Sequence, residues 1–358
     1  MPIAAQIDRE EAIPRSVLKQ LADLGLMAVR LPSEYGGAGA STVAYALAMQ
    51  QIARGCASTA VTMAVNNMVG EVIATFGREE QKQKYCTRLA SGEYCAGAFA
   101  LSEPGAGSDP GGMRTTATRE GDGWVIQGEK QWITNGAFAG IFVVWARTAG
   151  KEALPGAKGI TCFLVEAGTP GFTVGRAEDK MGLRGSNTTS LQFDRCRVPN
   201  SAILGEINSG FKIAMMALDG GRIGVSAQAI GIARASLEES IRYAKDRQQF
   251  GSPIATFQAI QWKLADMRTE LDAAHLLCMR AATLKDARKP FSSEASMSKV
   301  FSSEAAVRIC NEAVQIHGGY GYTREFAAER HLRDVRVTMI YEGTSEIQRM
   351  VIARSMLA

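Results

Sequence analysis

The chain has 358 residues, of which 46% are hydrophobic, 21% charged and 7% aromatic, a composition that excludes disordered and collagen-like chains and leaves ample material for a core. Lys and Arg total 40 against 36 Asp and Glu, a formal net charge of +4, too even a balance to mark a nucleic-acid surface. At roughly 100–200 residues per domain the length accommodates two or three domains.

From Glu11 to about Ala90 the pattern is helical. Val17, Leu18, Leu21 and Leu24 recur at helical steps until Gly25 interrupts, and Ser41 with Thr42 stands where an N-cap belongs, ahead of Val43, Leu47 and Met49. Between about Tyr94 and Leu204, β-rich runs at 115–119, 123–127, 141–147, 160–165, 172–174 and 190–193 alternate with turn residues, so a small all-β unit is expected. Gly121-Asp122-Gly123 signals a hairpin and Leu154-Pro155-Gly156 a longer loop. After Asn208-Ser209-Gly210 the helical period returns in three long segments, about 210–247, 256–288 and 291–316, broken at Gly251 with Pro253 and at Pro290; these imply a helical bundle. A last helix starts near Ser345, whose spacing to Gln348 fits a reciprocal capping box. The expected units are 1–92 (helical), 93–206 (β) and 207–358 (helical).

Several chemistries are excluded. None of the G-x-G pairs at 37, 105, 121 and 319 extends to G-x-G-x-x-G, and neither a P-loop nor a G-x-S-x-G elbow is present. His275, His317 and His331 lack the spacing of a helical zinc site, so no metal is expected. The cysteines (Cys56, Cys86, Cys95, Cys162, Cys196, Cys278, Cys310) are odd in number and form no C-x-x-C pair, which reads as reduced intracellular thiols. The longest apolar stretch, Gly136 to Ala146, is far shorter than a membrane span. Met1 to Glu11 carries Asp8, Glu10 and Glu11 and resembles no leader, so a cytoplasmic location is expected, with a mature mitochondrial matrix form as the alternative. What remains is a set of small-residue loops bearing hydroxyls and acids, whose chemistry must come from a bound organic cofactor.

Six stretches stand out. In Ala100-Leu101-Ser102-Glu103-Pro104-Gly105-Ala106-Gly107-Ser108-Asp109 the glycines let backbone N–H groups approach an anionic or planar ligand, although a surface turn reads equally well. Gln131 to Gly136 sets Trp132, alone a core residue, beside Thr134. Asp219 and Arg222 lie three apart on one helical face, as an ion pair or as part of a site. Arg247 ends a helix in Asp246 to Gly251, and Gln315 to Gly321 reads as a helix end and turn. Glu342, in Tyr341 to Gln348, reads by itself as a solvated helix-start carboxylate.

In their order and spacing, ALSEPGAGSD, QWITNG, LDGGR, DRQQFG, QIHGGYGYTRE and IYEGTSEIQR resemble the FAD-dependent acyl-CoA dehydrogenases, above all the short-chain, butyryl-CoA type, over nearly the whole chain. The resemblance implies an α+β fold of N-terminal helical domain, central β-barrel and C-terminal four-helix bundle. It further implies oxidation of an acyl-CoA to the trans-2-enoyl-CoA, electrons passing to an electron-transferring flavoprotein, and a homotetramer built as a dimer of dimers. By position, Phe99, Leu101, Ser102, Gly107 and Ser108 with Trp132, Ile133 and Thr134 resemble the flavin contacts of the barrel, Ser108 also touching substrate. Arg247, Phe250 and Gln258 resemble cofactor contacts from one subunit, and Gln315, Ile316, Gly318 and Gly319 the segment that reaches it from a neighbour. Thr344, Ser345 and Glu346 complete the flavin set, while Asp219, Gly220, Gly221, Arg222 and Gly343 resemble substrate contacts.

Glu342 resembles the catalytic base, and removing an α-proton from a thioester calls for a carboxylate whose basicity burial has raised. In the family a backbone N–H at the base and a flavin ribityl hydroxyl hold the thioester oxygen. Relatives acting on isovaleryl-CoA or long chains carry the base at the position of Gly221, which has no carboxylate here; those acting on glutaryl-CoA use an Arg that is missing around Ser58 to Thr62. A short or compact branched acyl group is therefore expected. Members of the family usually carry a further stretch of helix ahead of the segment matching Pro2 to Glu11. Two alternatives keep the fold: an oxidase that passes electrons to oxygen, and a non-catalytic flavin-binding subunit.

Overall fold

The computed structural model describes residues 3–149, 154 and 156–357; the loop expected at Leu154-Pro155-Gly156 includes Pro155, which lies outside the described residues. The N-terminal helices are α1 (Ala4–Glu10), α2 (Arg15–Asp23), α3 (Thr42–Gly55) and α4 (Ala57–Phe76); the short α5 (Glu79–Gln81) and α6 (Thr87–Ser91) flank a π-helical turn at Lys82–Cys86. Ser41 caps α3 as its position suggests, its Oγ accepting from Ala44 N at 3.1 Å. Val17, Leu18 and Leu21 are buried, whereas Leu24 falls just past α2 and is exposed. Every residue of α4 from Ala57 to Gly70 is buried, so this helix lies within the core rather than on it. Its two asparagines are paired: Asn66 donates to Met27 O and accepts from Gly97 N, at 2.7 and 2.8 Å, and Asn67 accepts from Val29 N at 2.8 Å.

The strands are β1 (Ala96–Ala100), β2 (Thr116–Glu120), β3 (Gly123–Thr134), β4 (Ala139–Arg147), β5 (Ile160–Glu166), β6 (Phe172–Ala177), β7 (Thr188–Pro199) and β8 (Ile203–Leu204). They form one sheet in the order β6-β7-β3-β2-β4-β5-β8, with β1 parallel to β4. Among the described residues β6 and the two-residue β8 end the path without pairing, so the sheet is not closed as a barrel, although the fold is the expected one. The hairpin at Gly121-Asp122-Gly123 joins β2 to β3. From Ile141 on, residues of β4 divide by parity: Ile141, Val143 and Trp145 join the helical core, and Phe142, Val144 and Ala146 a second core within the β unit. Burial on both faces explains why Ile141 to Ala146 is continuously apolar without alternating.

Beyond the sheet come α7 (Gly210–Asp246), a small hairpin pairing Gln248–Gln249 with Ser252–Pro253, α8 (Gln258–Asp286), α9 (Ser292–His317), α10 (Ala328–Val335) and α11 (Ser345–Leu357). Helices α7, α8 and α9 pack on one another, α11 lies on α9, and α3 and α4 pack on α7. The indole of Trp145 donates to Gly210 O at 2.7 Å, pinning the start of α7 to the sheet. The expected capping box at Ser345 is not formed. Ser345 is the first helical residue and is buried; Thr344 Oγ1 accepts from Ile347 N at 3.4 Å, and the Gln348 amide points to the preceding turn. No helix among the described residues is long and apolar enough to cross a membrane.

Candidate active site

The turn before α11 carries Glu342 and Gly343 in succession at φ 51° and 93°. A left-handed backbone is unusual for a glutamate, and such residues persist where surrounding contacts over-determine them. Here two fully buried side chains hold the turn: Lys299 Nζ donates to Gly343 O at 2.7 Å, and Gln348 Nε2 donates to Gly343 O at 2.9 Å and to Glu342 O at 3.3 Å.

The turn aims the Glu342 carboxyl at α7. A Cβ on Gly221 would lie 2.0 Å from Glu342 Oε2, 2.8 Å from its Cδ and 3.2 Å from Met68 Sδ, so only glycine leaves room for the acid. Oε2 is buried and has no hydrogen-bond partner among the described residues. Burial pushes the carboxyl up to about 7, while the positive charges of Lys299 and Arg222 act in the opposite direction. A carboxyl poised there takes up a proton near neutral pH without being permanently protonated.

On the same helix the ion pair allowed by the Asp219–Arg222 spacing is formed. Arg222 also reaches Ser296 Oγ at 3.3 Å, Ser292 donates to Asp219 at 2.9 Å, and Arg222 Nε has no partner among the described residues. Gly220 faces elsewhere: a Cβ there would meet Lys285 Nζ at 2.4 Å, where Lys285 pairs with Glu71.

In the β unit, Gln131 N donates to Ser102 O at 2.9 Å, which brings the Ser102 to Ser108 loop beside Trp132 to Thr134. The loop turns on a Glu103–Ala106 bridge and is stapled from beneath. Lys130, fully buried, donates to Glu103 Oε1 at 2.9 Å and Leu101 O at 3.2 Å, while Glu103 accepts from the backbone of Arg114 and Thr115. Trp132 has φ 63° and is 61% exposed, so it is not the core residue that an isolated Trp suggests. A Cβ on Gly105 or Gly107 would meet nothing within 4 Å. Phe99 packs on Trp145, and the side chains of Leu101 and Ile133 are buried, leaving their main chain as the contact available to a ligand.

The remaining flavin-like residues lie at the other end of α7. Arg247 follows its last turn with its guanidinium 5.6 Å from the Tyr320 ring, and His317 stacks on Tyr243 at 4.4 Å, so Arg247 and the Gln315 to Gly319 segment form one cluster. Phe250, in the tip of the small hairpin at φ 51°, is 96% exposed; Gln258, Gln315, Gly318 and Gly319 are exposed too, while the Ile316 side chain is buried. The 26 residues from Gly221 to Arg247 place this cluster about 39 Å along the helix from Glu342. Within one chain the two sets are not brought together.

Sequence reasoning missed Lys299, Tyr45 and Lys130. The Tyr45 hydroxyl lies against Gly224, and its phenol is pushed up by burial and by the charge of Glu342. One signal was available for Lys299: with Ala295, Ser302 and Ala306 it forms a stripe at steps of four, three and four residues, all buried in α9.

Both parts of the candidate site leave open backbone and polar atoms available to a ligand. Open glycine loops, an outward Trp132, and orphaned polar atoms at Glu342, Arg222 and Gln348 all face unmet demands that a ligand can meet. Family models of the acyl-CoA dehydrogenase N-terminal, middle and C-terminal domains match residues 1–93, 98–196 and 208–357. The chain is 53% identical to the mitochondrial short-chain specific acyl-CoA dehydrogenase of Homo sapiens, over 99% of this chain and 86% of the other. It superposes on butyryl-CoA dehydrogenase from Megasphaera elsdenii with TM-score 0.96 and 43% identity, covering 100% of this chain and 94% of that one. A structure described as electron transferring flavoprotein of Acidaminococcus fermentans matches equally, at TM-score 0.96 and 43% identity over 99% and 93% of the two chains. The chain belongs to the acyl-CoA dehydrogenase family, and it is an oxidoreductase with FAD as cofactor.

Proposed function

We propose that this acyl-CoA dehydrogenase oxidises a short or compact branched acyl-CoA to the trans-2-enoyl-CoA, with Glu342 as the base. The observation that carries the reading is the buried, unpartnered Glu342 Oε2 seated on Gly221. Bound FAD supplies the acceptor for the hydride that leaves the β-carbon. The chain supplies the rest. Glu342 takes the α-proton, Lys299 and Gln348 keep its turn in place, and Arg222 with Gly343 lines the approach of the thioester. Trp132, Thr134, Ser108 and the Leu101 to Gly107 main chain would hold the cofactor from the β unit, and Thr344 to Glu346 from the base side.

Arg247, Phe250, Gln258 and the Gln315 to Gly319 segment are too far along α7 to reach the same cofactor, which favours their serving a neighbouring subunit's FAD. A dimer is then the smallest holo unit, and a homotetramer, as a dimer of dimers, is the assembly we assign. An electron-transferring flavoprotein is the proposed acceptor, a choice supported by the match to the Acidaminococcus structure.

The test is anaerobic flavin bleaching over a panel of straight, branched and cyclic acyl-CoAs. Butyryl-CoA or a compact branched analogue is expected to give the highest kcat/KM; a higher value for palmitoyl-CoA would overturn the substrate class.

A further inference from the structure

Lys299 is an unusual residue to find where it is. It has no exposed surface, sits midway along α9 in a stripe of small residues, and forms no salt bridge among the described residues; its ammonium donates to the Gly343 carbonyl at 2.7 Å. A buried ammonium is costly unless nearby charge compensates it. Burial pulls Lys299 down to about 8, and Glu342 is the largest influence holding it up. Reciprocally, Lys299 is the strongest charge acting against the burial of Glu342.

We propose that Lys299 is a positioning residue for the base: its ammonium clamps the turn that aims Glu342 and sets a positive charge beside the carboxylate. This rests on the reading of Glu342 given above. The clamp follows from the backbone: with Glu342 and Gly343 both at positive φ, the carbonyl of Gly343 fixes how the turn enters α11, and Lys299 and Gln348 both donate to it. The charge acts on a crowded neighbourhood. Arg222, paired with Asp219, faces Glu342 from α7 and Tyr45 from α3; Tyr341 precedes it, and Glu346 and Glu304 face Lys299. The two phenols are held above their ordinary range, so they stay neutral, and Arg222 is already engaged by Asp219. Lys299 is thus the cation not committed to another carboxylate by a salt bridge.

Lys299→Met and Lys299→Arg holoenzymes separate the roles. Removing the cation favours the protonated acid, so the acid limb of single-turnover flavin reduction should move alkaline by about one pH unit in Lys299→Met, and return toward the wild-type position in Lys299→Arg. An unshifted limb in Lys299→Met, or equal shifts in both variants, overturns the proposal. A readout independent of turnover is the melting temperature across the cycle of Lys299→Met, Glu342→Gln and the double variant. The fall caused by Lys299→Met should be smaller by a few degrees when residue 342 is Gln, and additivity would overturn the coupling. Should Lys299→Met not fold alone, the double variant is expected to fold; failure there too means that Lys299 only packs. Retained flavin reduction in Glu342→Gln would instead overturn the base assignment itself.

Discussion

The two ends of α7 are built on opposite plans. At the Asp219–Arg222 end the cations are buried and engaged within the chain, Arg222 by Asp219 and Ser296, and Lys299 by the Gly343 carbonyl that Gln348 also holds. At the other end Arg247, Phe250, Gln258, Gly318 and Gly319 are exposed. Buried charge must find its partners inside the fold because water cannot reach it, whereas an exposed guanidinium or ring is free to meet something outside. The chemistry end is thus positioned by folding and left open only to a ligand, whereas the far end is left open to the neighbouring subunit proposed above.

The largest expected effect tests the chemistry end. Glu342→Gln keeps the shape and removes the proton acceptor, so flavin reduction should fall about 10²–10⁴-fold while FAD content and substrate binding survive. Because burial raises Glu342 to about 7, the wild-type rate should climb about tenfold per pH unit below that value and level above it. Anaerobic stopped-flow measures both, and a Glu342→Gln variant that bleaches at the wild-type rate would move the proton to another group. Regaining activity by growing a base from α7 requires space. A side chain at 221 starts 2.0 Å from the Glu342 carboxylate, so Gly221→Glu should restore part of the rate with Glu342→Gly and not with Glu342→Gln.

Gly221→Ala probes the same contact in the otherwise native chain. Its methyl must displace Oε2 or Met68, and a misplacement of about 1 Å in a reacting group costs on the order of 10²-fold. Flavin reduction should drop by about that factor with FAD retained. A wild-type rate would mean that the carboxylate need not sit where the turn aims it.

At the exposed end, Arg247→Ala should weaken FAD retention by about 10–100-fold, the loss expected for a charge-assisted contact to a phosphate. It should loosen the dimer with it. Light scattering and cofactor titration check the two together; a strictly monomeric holoprotein would break the comparison at its root, because the far end would then have nothing to meet.

The order helices, sheet, helices was legible because hydrophobic period switches from 3.6 to 2 and back, and the long bundle helices end within two residues of where Gly, Pro and polar breaks set them. The loops of the candidate site were singled out through their resemblance. What stayed hidden depends on three-dimensional neighbours. Lys299 reads as an ordinary helical lysine until the packing of α9 buries it, and Lys130 reads as an exposed strand residue until Glu103 folds beneath it. Edge pairing of β6 and β8 leaves no trace in strand periodicity, which is why a closed barrel and an open path look alike in sequence. The capping box failed for a related reason: the spacing of Ser345 and Gln348 is right, but the stronger demand on Gln348 comes from the carbonyls of the base turn.

Gly220→Ala carries the smallest expected effect and is the sharpest control on the chemistry end. The new methyl would meet Lys285 Nζ at 2.4 Å, too close to be tolerated unmoved, as is the 2.0 Å approach at Gly221. The difference lies in what must yield. Lys285 ends a flexible side chain whose ammonium can swing while staying near Glu71, which Arg30 also pairs, whereas Glu342 is fixed by a turn with two clamps. An exchange of glycine for alanine inside a helix also favours the fold by about 0.5–1 kcal/mol. Gly220→Ala should therefore melt at or above the wild-type temperature and lose less than about threefold in flavin reduction, against about 10²-fold at the next residue. If both substitutions cost the same, crowding along α7 in general, rather than the seat of one carboxylate, is what the glycine pair protects.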